Sequence, residues 1–263
     1  MMSGNKARPM IVQERDLEFF RILGQDARLV DREQFMKFAN FKSQTRANVR
    51  LLKLTANGFL RRYFLGTLKG GSKALYTLSP KGALAAEVQN RPVIRPKEML
   101  LVGDPFVYHQ LAINDVHITA RFASSKTSNA VCFRSFPESL TKAIPLIPDG
   151  YFEFETPLGV RAAFLEVDCG TETLKVWAKK TSLYLQLAIS GTFKRLFQQE
   201  QFRVLVAVSS ERRLQSIRKT IAKQTQKIFW LSTLEQIKRE GFWSPVWLRP
   251  TGDQKSPLLE RSL

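Results

Sequence analysis

Apolar residues recur at three- and four-residue steps through 16–24 (DLEFFRILG), which predicts a helix with Asp16 as its cap and Gly24 as its stop. A second short helix is expected over 31–39, opened by Asp31 and turning Phe35, Phe38 and Ala39 inward. A third opens at Ser43 or Thr45 and runs through TRANVRLLKLTANG to Gly58. Val49, Leu52 and Leu51 form its expected buried stripe, leaving Arg46, Arg50 and Lys53 on the other face. FLRRYFLG and ALYTLS then flank the turn-rich LKGGSK, the pattern of a hairpin with a glycine-tipped basic loop. Phe59, Leu60, Leu75 and Tyr76 read as its core residues. Three helices followed by a hairpin describe a winged helix-turn-helix. A helix over 80–88 closes it, and the proline-containing, basic QNRPVIRPKE reads as an extended linker.

The second half alternates between helix and strand. PFVYHQLAINDVHITARFAS at 105–124 places Phe106, Leu111, Ile113, Val116, Ile118 and Phe122 at helical steps, with His109, Asp115 and His117 along the same element. A strand is expected near 130–135, then a hairpin in which YFEFE and VRAAFLEVD alternate around TPLG. A helix over 173–198, a buried strand at 202–210, a basic helix at 211–225 and a strand at 227–233 complete an α/β sandwich around a central mixed sheet. The divisions this implies are 1–88, a linker at 89–104, 105–248, and a polar, frayed tail at 249–263. The fold class is α/β (α+β).

Charge changes the picture. The 263 residues carry 41 Lys and Arg against 23 Asp and Glu, a formal charge of +18. Such a chain attracts polyanions, with nucleic acid ahead of an anionic membrane surface. The excess is uneven, because residues 1–98 hold 19 basic and 8 acidic side chains. Between Glu33 and Glu87 there are ten basic residues and no acidic one. Gln44, Thr45, Arg46, Asn48, Arg50 and Lys53 on the third helix, and Arg61, Arg62, Lys69 and Lys73 on the hairpin, are therefore the expected contacts to double-stranded DNA. A secretory signal and an apolar run long enough to span a membrane are both lacking, and two cysteines (Cys132 and Cys169) are too few for a disulfide framework. A cytoplasmic setting is expected, with no membrane partner.

The hairpin carries the candidate chemistry. Six acidic residues fall within 149–172, with Arg161 the single basic residue among them. With the turn centred on Pro157 and Leu158, Asp149 falls opposite Glu166, and Asp168 points to the same face two residues on. Like charges side by side in a sheet repel, and hard oxygen ligands of this kind suit Mg²⁺ or Mn²⁺. The polar face of a solvated hairpin would show the same pattern. No glycine-rich phosphate loop or nucleophile elbow occurs.

PDG, then FLEVDCGTE, preceded by HQLAINDV and a basic three-helix region, resembles the replication-relaxation family of plasmids and mobile elements over about residues 12–235. The second half also resembles the PD-(D/E)xK restriction-endonuclease-like fold, with Asp149 matching the Asp of PD and Glu166 the middle carboxylate. That resemblance implies a metal held by Asp149 and Glu166, joined here by Asp168, and a lysine two residues after the glutamate that activates water. Asp168 stands where that lysine belongs, and Lys175 or Lys179 on the following helix could supply a displaced ammonium. Two functions follow from the resemblance: metal-dependent nicking during plasmid replication, relaxation or mobilisation, with Tyr184 as a variant nucleophile; or a catalytically inactive DNA-binding scaffold, initiator or transcriptional regulator. Replication or mobilisation proteins, and a second copy in a homodimer, are the protein partners it implies.

Overall fold

The computed structural model describes residues 10–66, 70–89, 99–100, 104–123, 131–157 and 159–259. The chain divides into two units, residues 1–102 and 103–263. Most of the expected linker, Lys69, Leu158 and the last four residues lie outside the described set.

The first unit runs α1 (Glu14–Ile22), β1 (Leu29–Asp31), α2 (Arg32–Phe38), α3 (Gln44–Ala56), β2 (Leu60–Gly66), β3 (Ser72–Leu78), α4 (Pro80–Ala85) and β4 (Met99–Leu100). Its four-stranded sheet has the order β1-β3-β2-β4. The cap of α1 is Gln13 rather than Asp16. Asp16 sits one turn in and accepts the Gln13 backbone N–H at 2.7 Å, satisfying one of the donors a helix start leaves open. The helix does not stop at Gly24, because Leu23–Ala27 continue it as a wider π turn. Asp31 caps α2 as expected, accepting from Gln34 N at 2.8 Å, with Phe35, Phe38 and Ala39 buried.

The third helix is rotated from the expected phase. Ala47, Leu51 and Leu54 are its buried line, while Val49 and Leu52 are 46% and 51% exposed. Both lines are apolar at helical spacing. The one that contains Leu51 and Leu54 buries two leucines beside the small Ala47, which lets the helix approach its neighbours closely. The short strands β1 and β4 carry no alternation long enough to announce them and were not expected.

The second unit runs α5 (Pro105–Ala123), β5 (Val131–Arg134), β6 (Gly150–Thr156), β7 (Gly159–Asp168), α6 (Leu174–Ile189), α7 (Thr192–Phe197), β8 (Phe202–Val208), α8 (Glu211–Ala222), β9 (Phe229–Thr233) and α9 (Leu234–Glu240). Its mixed sheet has the order β5-β6-β7-β8-β9, antiparallel through β7 and parallel from β7 to β9. The expected single helix over 173–198 is two, broken at Gly191, whose φ of +70° a side chain would resist. One sheet face packs on α6, α7 and α8 through Trp177, Tyr184, Phe193 and Ile217. The other packs on α5 and α9 through Val116, Ile237 and Phe242. Residues 249–259 are not a frayed tail. Leu258 is buried in this second core, and Trp247 bridges to Ser256.

Pairing in the β6–β7 hairpin runs from Gly150↔Leu165 to Thr156↔Gly159. Continued by one residue, this register sets Asp149 opposite Glu166.

Candidate functional site

Unit 1 presents a basic surface around the start of α3. Ser43 caps the helix, and Gln44, Thr45, Arg46 and Lys53 are exposed, with Asn48 half-buried. Beside them lies a cleft of about 480 Å³ lined by Arg15, Asn40, Phe41, Lys42, Thr45 and Arg46 among others. Arg15 stacks 4.0 Å over the Phe41 ring, which holds its guanidinium at this cleft. Arg15 and Lys42 were not singled out from sequence. The run that begins after Glu33 contains Lys42, but only the fold brings Arg15 to the same place.

Two of the expected DNA contacts have other work. Arg50 donates from Nε to Asp16 Oδ1 at 3.0 Å and from its terminal nitrogen to Ile11 O at 2.9 Å, and Asp16 is almost wholly buried. It ties α3 to α1, and its bonds are already made. Lys73 is ion-paired with Asp31 and lies 3.9 Å from Glu33. Arg61 is exposed, and Arg62 is half-buried with its guanidinium 4.9 Å over Phe64. Lys69 lies outside the described residues.

In unit 2, even-numbered residues of β7 face α6 and α8, which puts Glu166 and Asp168 on one side of the sheet. Both are buried. Asp168 accepts four bonds: Gly170 N (2.7 Å) and Arg213 Nε (2.8 Å) on Oδ1, Trp177 Nε1 (2.7 Å) and Arg213 Nη2 (2.7 Å) on Oδ2. Burial works against its charge. Arg213, Trp177 and Gly170 outweigh that and hold its carboxyl below the ordinary range. Glu166 accepts from Lys180 Nζ at 2.8 Å and Tyr184 OH at 2.5 Å. Burial, reinforced by the nearby Asp149 charge, pushes its carboxyl up to about 7, while Lys180 and Tyr184 pull the other way. Lys180 also lies 2.7 Å from Glu172 Oε1. Desolvation disfavours its charge, but the two glutamates prevail and raise its pKa.

Asp149 precedes β6 and meets the edge of β7 that β6 leaves open. Its Oδ2 accepts Val167 N at 2.7 Å and lies 3.2 Å from His109 Nε2 of α5, which is itself 2.9 Å from Val167 O. Burial lowers the His109 pKa, and the Asp149 carboxylate more than reverses this, leaving it raised.

The ammonium that meets Glu166 belongs to neither Lys175 nor Lys179, both exposed, but to Lys180. Trp177, Lys180 and Tyr184 lie three and four residues apart on one helix face, so the spacing contained the signal. Tyr184 is fully buried with its hydroxyl on Glu166 and its pKa raised by desolvation, which removes it as a nucleophile.

The expected three-carboxylate metal set does not fit this geometry. A carboxylate offers about four lone-pair positions, and those of Asp168 are all taken. Both oxygens of Glu166 are engaged, and the residue has no exposed surface. Among the described residues, no three His, Cys, Asp or Glu side chains converge as a metal would require. The repulsion between the carboxylates is instead relieved from within the protein, by Lys180, Arg213 and His109.

Two α/β units, one with a basic helical surface and one with a buried carboxylate cluster neutralised by its own cations, define the class. The model of the replication-relaxation family matches residues 25–199, well over half of the 263 residues, and the protein belongs to that family. Membership suggests a role in the replication or relaxation of plasmids or other mobile elements. No curated protein and no solved structure matches the chain. Among the described residues, no helix is long and apolar enough to cross a membrane.

Proposed function

We propose that the protein binds double-stranded DNA through unit 1 and acts in plasmid or mobile-element replication as a DNA-binding scaffold, initiator or regulator rather than as a nuclease. The observation that carries the DNA reading is the exposed face of α3, where Gln44, Thr45, Arg46 and Lys53 project from a stretch with no acidic residue between Glu33 and Glu87. The element order α1-β1-α2-α3-β2-β3, with β3 between β1 and β2, agrees with a winged helix and supports α3 as the helix that enters the major groove. Arg15 and Lys42 lie beside its start and Arg61 is exposed on β2, and these cations would meet phosphates. A cytoplasmic setting agrees with Cys132 and Cys169, which form no disulfide.

The scaffold reading of unit 2 rests on Asp168. The residue that stands where a nuclease-like site has lysine is clamped by Arg213 and Trp177. Its neighbour Glu166 is held by a lysine and a tyrosine. The unit retains the arrangement of a mixed sheet between helices with Asp149 opposite Glu166, which agrees with a restriction-endonuclease-like ancestry. A plasmid assay separates the two activities. With supercoiled DNA and Mg²⁺ or Mn²⁺, the protein is expected to retard the plasmid without nicking it. Nicking that disappears in both Asp149→Ala and Glu166→Ala would overturn the scaffold reading and restore the metal-dependent one.

A further inference from the structure

The third helix has a second apolar line that the core does not use. Thr45, Val49, Leu52 and Ala56 follow one another at four, three and four residues, directly opposite Ala47, Leu51 and Leu54. All four are exposed, and Val49 and Leu52 carry the most apolar surface. An exposed apolar line on an otherwise basic helix is suited to a partner outside the unit. Charge selects the partner. Arg46 and Lys53 flank the line on one side. A second copy of this chain would bring the same cations against their own counterparts, which disfavours self-association through this face. A polyanion is favoured, and the major groove of DNA offers one apolar group on its floor, the C5-methyl of thymine.

We infer that Val49 and Leu52 read thymine by packing on C5-methyl groups in the major groove. The inference rests on α3 being the helix that enters DNA, and adds the base type it reads. Arg46 and Lys53 then hold phosphates along one side of the contact.

The test uses the full chain and duplexes that it selects from a randomised pool. Each thymine of the selected duplex is replaced in turn by deoxyuridine, which lacks only the methyl group, and affinity is measured by fluorescence anisotropy. At one or two positions the wild type should bind about fourfold more weakly, the worth of one methyl-sized group returned to water. The Val49→Ser, Leu52→Gln double variant should bind the thymine and deoxyuridine duplexes equally. Its thermal unfolding should be unchanged, because both side chains are exposed. Equal wild-type affinity for thymine and deoxyuridine duplexes overturns the inference and leaves DNA binding intact. Failure to retain any duplex overturns the DNA reading beneath it. A wild-type dimer that becomes a monomer in the double variant, by light scattering, assigns the face to a second copy and also overturns the inference.

Discussion

At the scale of single residues, the cluster behind β7 is governed by the cost of leaving a charge buried without a partner. Lys180 sits between Glu166 and Glu172, so Lys180→Met strands two carboxylates and should cost about 3–5 kcal/mol of stability. Lys175→Met and Lys179→Met, on the exposed face, should stay within about 0.5 kcal/mol. All four tryptophans (177, 230, 243 and 247) lie in unit 2, so urea titration followed by tryptophan fluorescence reports this unit. His117 gives a pH signature by the same readout. It is buried and stacked on Phe133 at 4.1 Å, and burial, with Arg121 nearby, lowers its pKa to about 3. The unfolded chain takes up that proton near pH 6.5, whereas the folded one resists until about 3. The His117 contribution is therefore complete above 6.5 and lost as pH falls, at up to about 1.4 kcal/mol per pH unit. His117→Gln should flatten the decline between pH 6 and about 4 by roughly that slope. An identical decline in the variant would place the titration elsewhere.

At the scale of elements, the phase of α3 is the decisive local feature. Leu51 is wholly buried and Leu52 half exposed. Leu51→Ala should lower stability by about 2–5 kcal/mol and Leu52→Ala by less than about 0.5 kcal/mol, followed by circular dichroism. Equal losses would mean that the helix is turned otherwise. This phase was the part of unit 1 least legible in the sequence. The stretch holds two apolar lines at helical spacing, and periodicity alone does not say which one faces in. The β6–β7 hairpin was legible to the residue because YFEFE alternates beside a two-residue connection, so a slip of one would turn Phe152 and Phe154 away from their core and drive Glu153 and Glu155 into it. The site was half legible. Strand period puts Glu166 and Asp168 on one face, but their partners Arg213 and Lys180 come from two helices, and only the packed sheet brings α6 and α8 together. Reading Lys175 and Lys179 as the displaced ammonium overlooked the face shared by Trp177 and Tyr184. The break at Gly191 was hidden because apolar residues continue at helical spacing across it.

At the scale of the molecule, the excess of 18 positive charges is the property the proposed function uses most. Of the 41 basic side chains, Arg50, Lys73, Lys180 and Arg213 pair with acidic side chains of their own units. Arg15, Lys42 and Arg46 remain outward together beside the start of α3. A protein that replaces counterions on phosphates loses affinity as salt rises, with a logarithmic slope of about −0.9 for each phosphate contacted. The most direct measurement is the affinity of the full chain for a fluorescent duplex across a salt series, compared with Arg46→Ala and Lys53→Ala. A steep fall with salt is predicted for the wild type, with the slope shallower by about one in each variant. Binding that ignores salt, or slopes unmoved by either substitution, would contradict the claim that this face of α3 grips DNA.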